Sequence, residues 1–173
     1  SLQPISPLTI VRRPVRLAAT AQPAREDLQY SFVFGNEVET SWLPEPAASR
    51  AFARPGIFQV HVHVRTGGIS ASSDPLTISV VELALEAEPV RPGRGQEVRF
   101  RVRSTPQLQG VEYLFRFGEG AAYGWTTQPA AVYAYRSAGD YSAFVEVRLG
   151  QSPPVQTDPI VISVSQAMGG RGW

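Results

Sequence analysis

The stretches Phe52–Gly67 and Tyr135–Gly150 decide the fold, and they read FARPGIFQVHVHVRTG and YRSAGDYSAFVEVRLG. Each begins with an aromatic residue, reaches a glycine four positions later and a second aromatic residue two positions after that. Apolar residues then alternate with other residues, which is the pattern of a β-strand that buries one face. The chain therefore contains two copies of one strand pattern.

The repetition extends over most of the chain. Val15 aligns with Val98, 83 positions later, and no gap is needed before the turn after Gly67. One extra residue there brings Asp74 into line with Asp158. The identical pairs include Tyr30 and Tyr113, Phe32 and Phe115, Phe34 and Phe117, Trp42 and Trp125, and Gly56 and Gly139. So many identities at a fixed spacing indicate one domain type present in two copies.

Period-two alternation, with Pro and Gly between the runs, predicts an all-β chain of two tandem β-sandwiches arranged end to end. We expect one sandwich at 1–80, a second at 81–165 and a flexible tail at 166–173. The first strand of the first sandwich is expected to be short or truncated, because only SPLTIVRRP precedes Val15. Strands are predicted near Leu8–Val11, Val15–Ala21, Leu28–Phe34, Ser49–Ala53, Ile57–Arg65, Leu76–Val81, Leu83–Ala87, Glu97–Arg103, Val111–Phe117, Ala131–Tyr135, Asp140–Leu149 and Ile160–Val164.

The alternation also assigns the faces of the strands. The predicted inward residues are Phe58, Val60, Val62 and Val64 in the first copy and Tyr141, Ala143, Val145 and Val147 in the second. Opposite them we expect the aromatic layers Tyr30, Phe32, Phe34 and Tyr113, Phe115, Phe117. Each aromatic side chain buries about 150–250 Å², so these layers can hold a small sandwich together without disulfide bonds.

Composition excludes several classes of protein. A net charge of +1 gives no general attraction to nucleic acid or to an anionic membrane. The chain has no Cys, which excludes disulfide scaffolds, zinc–thiolate sites and cysteine nucleophiles. Its 16 basic residues are all Arg, a bias that suggests a bacterial genome rich in G and C. No apolar run approaches the roughly 20 residues of a membrane span.

Two further segments carry a family resemblance. YSFVFGNE from Tyr30 and YLFRFGEG from Tyr113 resemble the Y-x-W-x-F-G-D-G motif of PKD (polycystic kidney disease) domains. The two stretches quoted first resemble that family's closing Y-x-x-x-G-x-Y-x-V-x-L-x-V motif. The resemblance implies two immunoglobulin-like (PKD-like) sandwiches. It further implies a spacer or interaction module of surface and secreted proteins, without catalysis.

Both copies depart from the family pattern. Phe32 and Phe115 stand in place of the motif's Trp, and its Asp-Gly is Asn36-Glu37 in one copy and Glu119-Gly120 in the other. The acidic positions that could hold calcium are therefore degraded. We expect no metal and no other cofactor to be needed.

Two histidines are weak candidates for the ligands of a metal site. His61 and His63 lie two positions apart on one strand and so point outward together. A metal ion would need a third ligand, for which Glu37 or Glu39 is available if the fold brings either one near. The alternative is that both histidines are simply solvated on the sheet face.

Arginines and aromatic residues provide candidates for contact with a partner. Arg99, Arg101 and Arg103 form an outward ladder that suits a phosphate or an acidic glycan, or that pairs with Glu82, Glu86 and Glu88 on the preceding strand. Trp42, Tyr123 and Trp125 lie in loop-like stretches. They form either a sugar-stacking platform or plugs at the sandwich edges.

No Ser–His–acid arrangement or carboxylate pair stands out, so we expect a protein that is not an enzyme. The expected role is a structural spacer or protein-interaction segment of a larger bacterial surface, periplasmic or secreted protein. The alternative is a carbohydrate-binding accessory module of an exported hydrolase. Expected partners are a protein or a cell-surface glycan and neighbouring domains of the same polypeptide, with no nucleic acid and no direct insertion into a membrane.

The junction yields a prediction about shape. DPLTISVVELALEAEP passes from one domain to the next without Gly, whereas a Gly/Ser linker would leave the domains independent. At about 3.3 Å per residue, Leu76–Ala87 spans about 40 Å if extended, and most of it belongs to the two strands. We expect an elongated two-domain rod in small-angle X-ray scattering. A compact profile would contradict it.

Overall fold

The computed structural model describes residues 2–4, 8–35, 38–120 and 123–166, with the backbone alone at 2–4 and 38. The predicted tail therefore lies outside the described residues except at 166. The chain forms two compact units, Ser1–Glu82 (unit 1) and Leu83–Trp173 (unit 2). Their described residues form strands and turns and contain no helix.

The strands of unit 1 are β1 (Leu2–Pro4), β2 (Leu8–Ile10), β3 (Pro14–Ala19), β4 (Gln29–Phe34), β5 (Val38–Glu39), β6 (Ala47–Ala51), β7 (Gly56–Thr66), β8 (Ile69–Ser72) and the first half of β9 (Leu76–Glu88). Those of unit 2 are the second half of β9, β10 (Glu97–Thr105), β11 (Val111–Arg116), β12 (Ala130–Ala134), β13 (Gly139–Leu149), β14 (Val155–Gln156) and β15 (Ile160–Val164).

Unit 1 is a sandwich of two sheets. One sheet has the order β1-β3-β6. In the other, β7 lies between β4 on one side and both β9 and β8 on the other. The opening strand is in two pieces: β1 pairs with β3, whereas β2 runs parallel to β9 with Leu8 opposite Ser79. The segment SPLTIVRRP therefore does supply an opening strand.

Unit 2 repeats this plan. Its first sheet has the order β12-β10-β9, and its second places β13 between β11 and the pair β14 and β15. A parallel bridge between Gly93 and Ser165 takes the place of the β2–β9 pairing of unit 1. The all-β tandem sandwich fold is thus confirmed.

The strand predictions were correct for the long elements and less accurate elsewhere. Leu76–Val81 and Leu83–Ala87, predicted as two strands, form the single strand β9, because no residue between them breaks the extended backbone. β6 begins at Ala47, two residues before the predicted start. The short strands β1, β5, β8 and β14 were missed, because two to four residues show too little alternation.

Burial confirms the predicted faces. Val60 and Val145 are fully buried, and the central aromatics Phe32 and Phe115 are at most 2% exposed. The predicted outward residues Gln59 and Arg65 are exposed. Both inner layers also receive the aromatic residue that opens the repeated stretch, Phe52 in unit 1 and Tyr135 in unit 2, and both of these are buried.

A buried tyrosine fixes the corner before β13. The Tyr135 hydroxyl donates a hydrogen bond to the carbonyl oxygen of Phe117 at 3.0 Å, and burial raises the pKa of this phenol. Phe52 fills the same corner in unit 1 with no polar group to satisfy. The glycine that follows is in the positive-φ region in both units, with φ at +157° for Gly56 and +152° for Gly139.

A side-chain hydroxyl supports the central strand of each unit; it is buried in unit 2 and half-buried in unit 1. The backbone N–H of Val145 donates to Thr157 Oγ1 at 3.1 Å, and the N–H of Thr157 donates back to the Val145 carbonyl at 3.0 Å. In unit 1 Ser73 makes the same two bonds to Val62. This contact was not predicted from the sequence, because Ser or Thr before Asp-Pro is more typical of a turn.

Gly139→Val should lower the free energy of unfolding by more than about 2 kcal/mol, because a β-branched residue is strained at this positive φ. His61→Ala should lower it by less than about 0.5 kcal/mol, because it trims an outward side chain. Urea denaturation measures both variants. Equal losses would show that the bend does not depend on glycine.

Thr157→Val should lower the free energy of unfolding by about 1–3 kcal/mol, because it leaves the buried N–H of Val145 without an acceptor. Thr157→Ser keeps the hydroxyl and is the matched control, with a smaller expected loss. Chemical denaturation measures both. A valine variant as stable as the serine variant would mean that the hydroxyl contributes only packing.

Candidate functional site

The arginine ladder lies on the outer face of β10, and Arg99, Arg101 and Arg103 are all exposed. Arg103 Nε lies 2.6 Å from Glu86 Oε1, which is one of the cross-strand pairs expected from the sequence. Arg99 and Arg101 have no ion-pair partner among the described residues. An exposed pair of this kind contributes about 0–1 kcal/mol, so the ladder leaves two cations available to a partner.

The two histidines lie together on the outer face of β7, with ring centroids 4.9 Å apart. His63 Nδ1 is 2.7 Å from Ser72 Oγ. The Glu39 carboxylate accepts a hydrogen bond from Ser31 Oγ at 2.9 Å, and Glu37 lies outside the described residues. Within the described ranges, no group of three His, Asp or Glu side chains is arranged to hold a metal ion.

Trp42 is half-buried and lies beneath an arginine. The guanidinium carbon of Arg65 is 4.2 Å from the centroid of the Trp42 ring. Arg65 Nε donates a hydrogen bond to Gln29 Oε1 at 2.9 Å, across the β4–β7 pair. A backbone bridge between Tyr30 and Leu43 anchors the segment that carries the ring. We call this arrangement the Trp–Arg brace.

Unit 2 contains the same brace at the positions 83 residues later. The guanidinium carbon of Arg148 is 4.1 Å from the centroid of the half-buried Trp125 ring. Arg148 Nε lies 2.8 Å from Glu112 Oε2, and a bridge between Tyr113 and Thr126 anchors the segment. One face of each indole is therefore covered by a guanidinium, which favours the edge-plug interpretation over a sugar platform built on the tryptophans.

Tyr123 belongs to a different set of contacts, an aromatic cluster with Phe117 and Tyr133. It is 55% exposed and makes edge-on contacts with Phe117 and Tyr133, at centroid distances of 5.5 and 6.4 Å. Tyr133 stacks on Phe117 at 4.2 Å. Its hydroxyl donates a hydrogen bond to Glu119 Oε2 at 2.6 Å, which raises the pKa of Tyr133 to about 12.

The resolved pKa shifts lie far from neutral pH. The Glu119 hydrogen bond and burial raise the pKa of Tyr133, and the hydrogen bond from Thr66 lowers the pKa of Asp27. General acid–base catalysis works best with a group that titrates near the working pH. Among the described residues, none of the shifted groups moves toward neutrality, and so these shifts mark no acid–base pair.

Comparison with known families gives one match, which lies mainly in unit 2. Residues 82–153 match the family model of the PKD domain. The match begins in β9 and includes the Trp125 brace and β13. The match does not extend to residues 1–81. No curated protein matches the chain.

Two solved structures are similar in outline. One contains the three N-terminal domains of the bacteriophage RB49 Hoc protein (16% identity, TM-score 0.39) and is matched over 96% of this chain and 58% of that chain. The other contains the fibronectin(III)-like modules of Clostridium thermocellum CbhA (13% identity, TM-score 0.45), matched over 100% and 99%.

Two general properties are known for PKD domains as a class. PKD domains are generally non-catalytic modules, and they usually occur in extracellular proteins. In the part of the chain that the structure describes, no helix has the length and apolar character needed to cross a membrane.

Arg148→Ala should expose the upper face of Trp125, shift tryptophan emission to longer wavelength and lower the free energy of unfolding by about 1 kcal/mol. Arg99→Ala, which removes an exposed arginine from the ladder, should change neither quantity. Fluorescence and urea denaturation measure both variants. An Arg148 variant that behaves like the Arg99 variant would mean that the stacking has no energetic role.

Stability should fall as the pH rises from 10 to 12. Folded Tyr133 keeps its proton up to a pKa of about 12, whereas the ordinary value is 10.0. The unfolded chain therefore releases protons in this window that the folded chain retains, which favours unfolding. Glu119→Gln should shift the Tyr133 titration to lower pH. Tyrosinate absorbance and denaturation across this range measure both effects, and an unchanged titration would contradict the role of Glu119.

Proposed function

We propose that the chain is a pair of tandem PKD-like modules that serves as a non-catalytic structural spacer or protein-interaction segment. The larger protein would be a bacterial surface, periplasmic or secreted protein. The PKD match of residues 82–153 carries this proposal. The Trp–Arg brace and the hydroxyl that bonds the central strand recur in unit 1 at corresponding positions, which supports assigning both units to the same module type.

Independent cores suit a structural module. Unit 1 has its own buried cluster, which includes Leu17, Phe32, Val60 and Ile78. Unit 2 buries Phe100, Phe115 and Tyr135. Each unit therefore gains stability from its own apolar burial, at about 25 cal/mol per Å² of apolar surface.

The spacer role can be tested by pulling single molecules of the chain from both ends. Two unfolding events are expected, each releasing about 80 residues, or about 290 Å at about 3.6 Å per residue. Gly139→Val should weaken the event that arises from unit 2 and leave the other unchanged. A single event would mean that the units do not unfold as separate modules, and the proposal would fail.

Location can be tested in the source bacterium. An antibody against the chain should label intact cells, the periplasmic fraction or the medium, as expected for an exported module. Labelling that appears only after the cytoplasmic membrane is broken, together with a cytoplasmic marker, would overturn this part of the proposal.

The carbohydrate-binding alternative now depends on Tyr123. Its exposed ring is available for stacking, whereas the two tryptophans are covered on one face by arginine. A glycan array with the wild-type chain, Tyr123→Ala and Trp125→Phe separates the two functions. Binding that is lost in the Tyr123 variant would favour the accessory module, and absence of binding favours the spacer.

A further inference from the structure

An apolar pocket opens at one end of unit 1, between the loop after β3 and the β7–β8 hairpin. Its volume is about 370 Å³, which lies at the lower end of the range for small-molecule sites. Its wall includes Leu28, Val62, Val64, Ile69 and Ala71. Val64 is only half-buried, so the pocket brings apolar core surface into contact with solvent.

Comparison with unit 2 shows why the pocket exists. The strand registers pair Val64 with Ala71 in unit 1 and Val147 with Val155 in unit 2. Val155 is the larger side chain, and Val147 beside it is only 2% exposed. The smaller Ala71 leaves that space unfilled. The wall that β7 and β8 give this pocket therefore has no counterpart in β13 and β14 of unit 2.

The opposite wall differs in side-chain volume at one position and in charge at another. Unit 1 has Ala19 and Arg25 where unit 2 has Val102 and Leu108, 83 positions later. The depression at the corresponding end of unit 2 is bordered by Val102 and Leu108 and does not reach β13 or β14. The smaller Ala19 and Ala71 thus leave more space in unit 1, and Arg25 places a cation beside it.

The charged residues that line the pocket are all basic. Arg25 and Arg65 are among the lining residues, and none of those residues is Asp or Glu. Arg65 is held by Trp42 and Gln29 in the Trp–Arg brace. Arg25 is exposed and has no ion-pair partner within the described residues. Asp27 does not line the pocket; its carboxylate accepts a hydrogen bond from the Thr66 hydroxyl and also interacts electrostatically with Arg25.

We propose that this pocket binds a small amphipathic carboxylate, with the apolar chain or ring in the pocket and the carboxylate on Arg25. Burial of the apolar part supplies affinity in proportion to its area. A guanidinium forms strong charge-assisted hydrogen bonds with a carboxylate and selects it over a neutral group. This ligand site goes beyond the proposed spacer role, which requires no small molecule.

The test is an NMR titration of the ¹⁵N-labelled full chain with octanoate and, separately, with 1-octanol, its neutral analogue. Both probes should produce saturable shifts confined to the amides of 19–25 and 62–73. Octanoate should bind about tenfold more tightly than octanol, because only the carboxylate uses the cation. Equal affinity for the two probes would overturn the assignment to a carboxylate.

Three variants locate the site. Ala71→Val introduces the residue of unit 2 and should weaken both probes by about tenfold or more, because it fills the pocket. Arg25→Gln should weaken octanoate by about fivefold or more and leave octanol unchanged. Val155→Ala makes the reverse change of size in unit 2 and should leave the binding of both probes as in the wild type.

The amide spectrum reports whether each variant folds. Should Ala71→Val fail to fold, Ala21→Val fills the pocket from the opposite wall and carries the same expectation. Absence of saturable shifts in the wild type, shifts spread over both units, or a filled variant that binds as tightly as the wild type would each overturn the proposal.

Discussion

Aromatic rings on the inner faces of the sheets must be buried, and this constraint positions the other elements of each unit. Phe32 on β4 lies opposite Val62 on β7, and Phe115 on β11 lies opposite Val145 on β13. A shift of one residue in either pairing would turn these rings toward solvent. The register is therefore fixed, and with it the position of every outward residue.

Fixed register explains why contacts on the outer face also recur. Gln29 faces Arg65 and Glu112 faces Arg148 because each pair occupies the same rung of its ladder. That rung places the guanidinium over the indole in both units. The recurrence of the brace with a neutral partner in one unit and a charged partner in the other indicates that stacking and geometry matter more than the ion pair, which is partly exposed.

The fold could be predicted from the sequence because its determinants are local: alternation assigned the faces of β7 and β13, and the repeated glycines marked the bends before them. The Trp–Arg brace could not be predicted, because Gln29 and Arg65 are 36 positions apart and meet only when the register is known. The Tyr135 hydrogen bond was partly foreseeable, since a phenol in a buried corner requires an acceptor. The pocket could not be foreseen, because it depends on the combined volumes of side chains from separate strands.

Differences between the copies are more informative about function than the residues they share. Shared residues such as Gly56 and Gly139 or Ser73 and Thr157 are explained by folding alone, since each satisfies a backbone or packing requirement. Divergent positions carry no such requirement. Ala71 in place of Val155 leaves apolar surface open to water, and Arg25 in place of Leu108 adds a cation beside it. Apolar surface that stays exposed forgoes the stabilisation that burial would give. This loss of burial affects one copy only, and it lies at the end of unit 1 that carries both changes. It is the physical basis for assigning a ligand to that end.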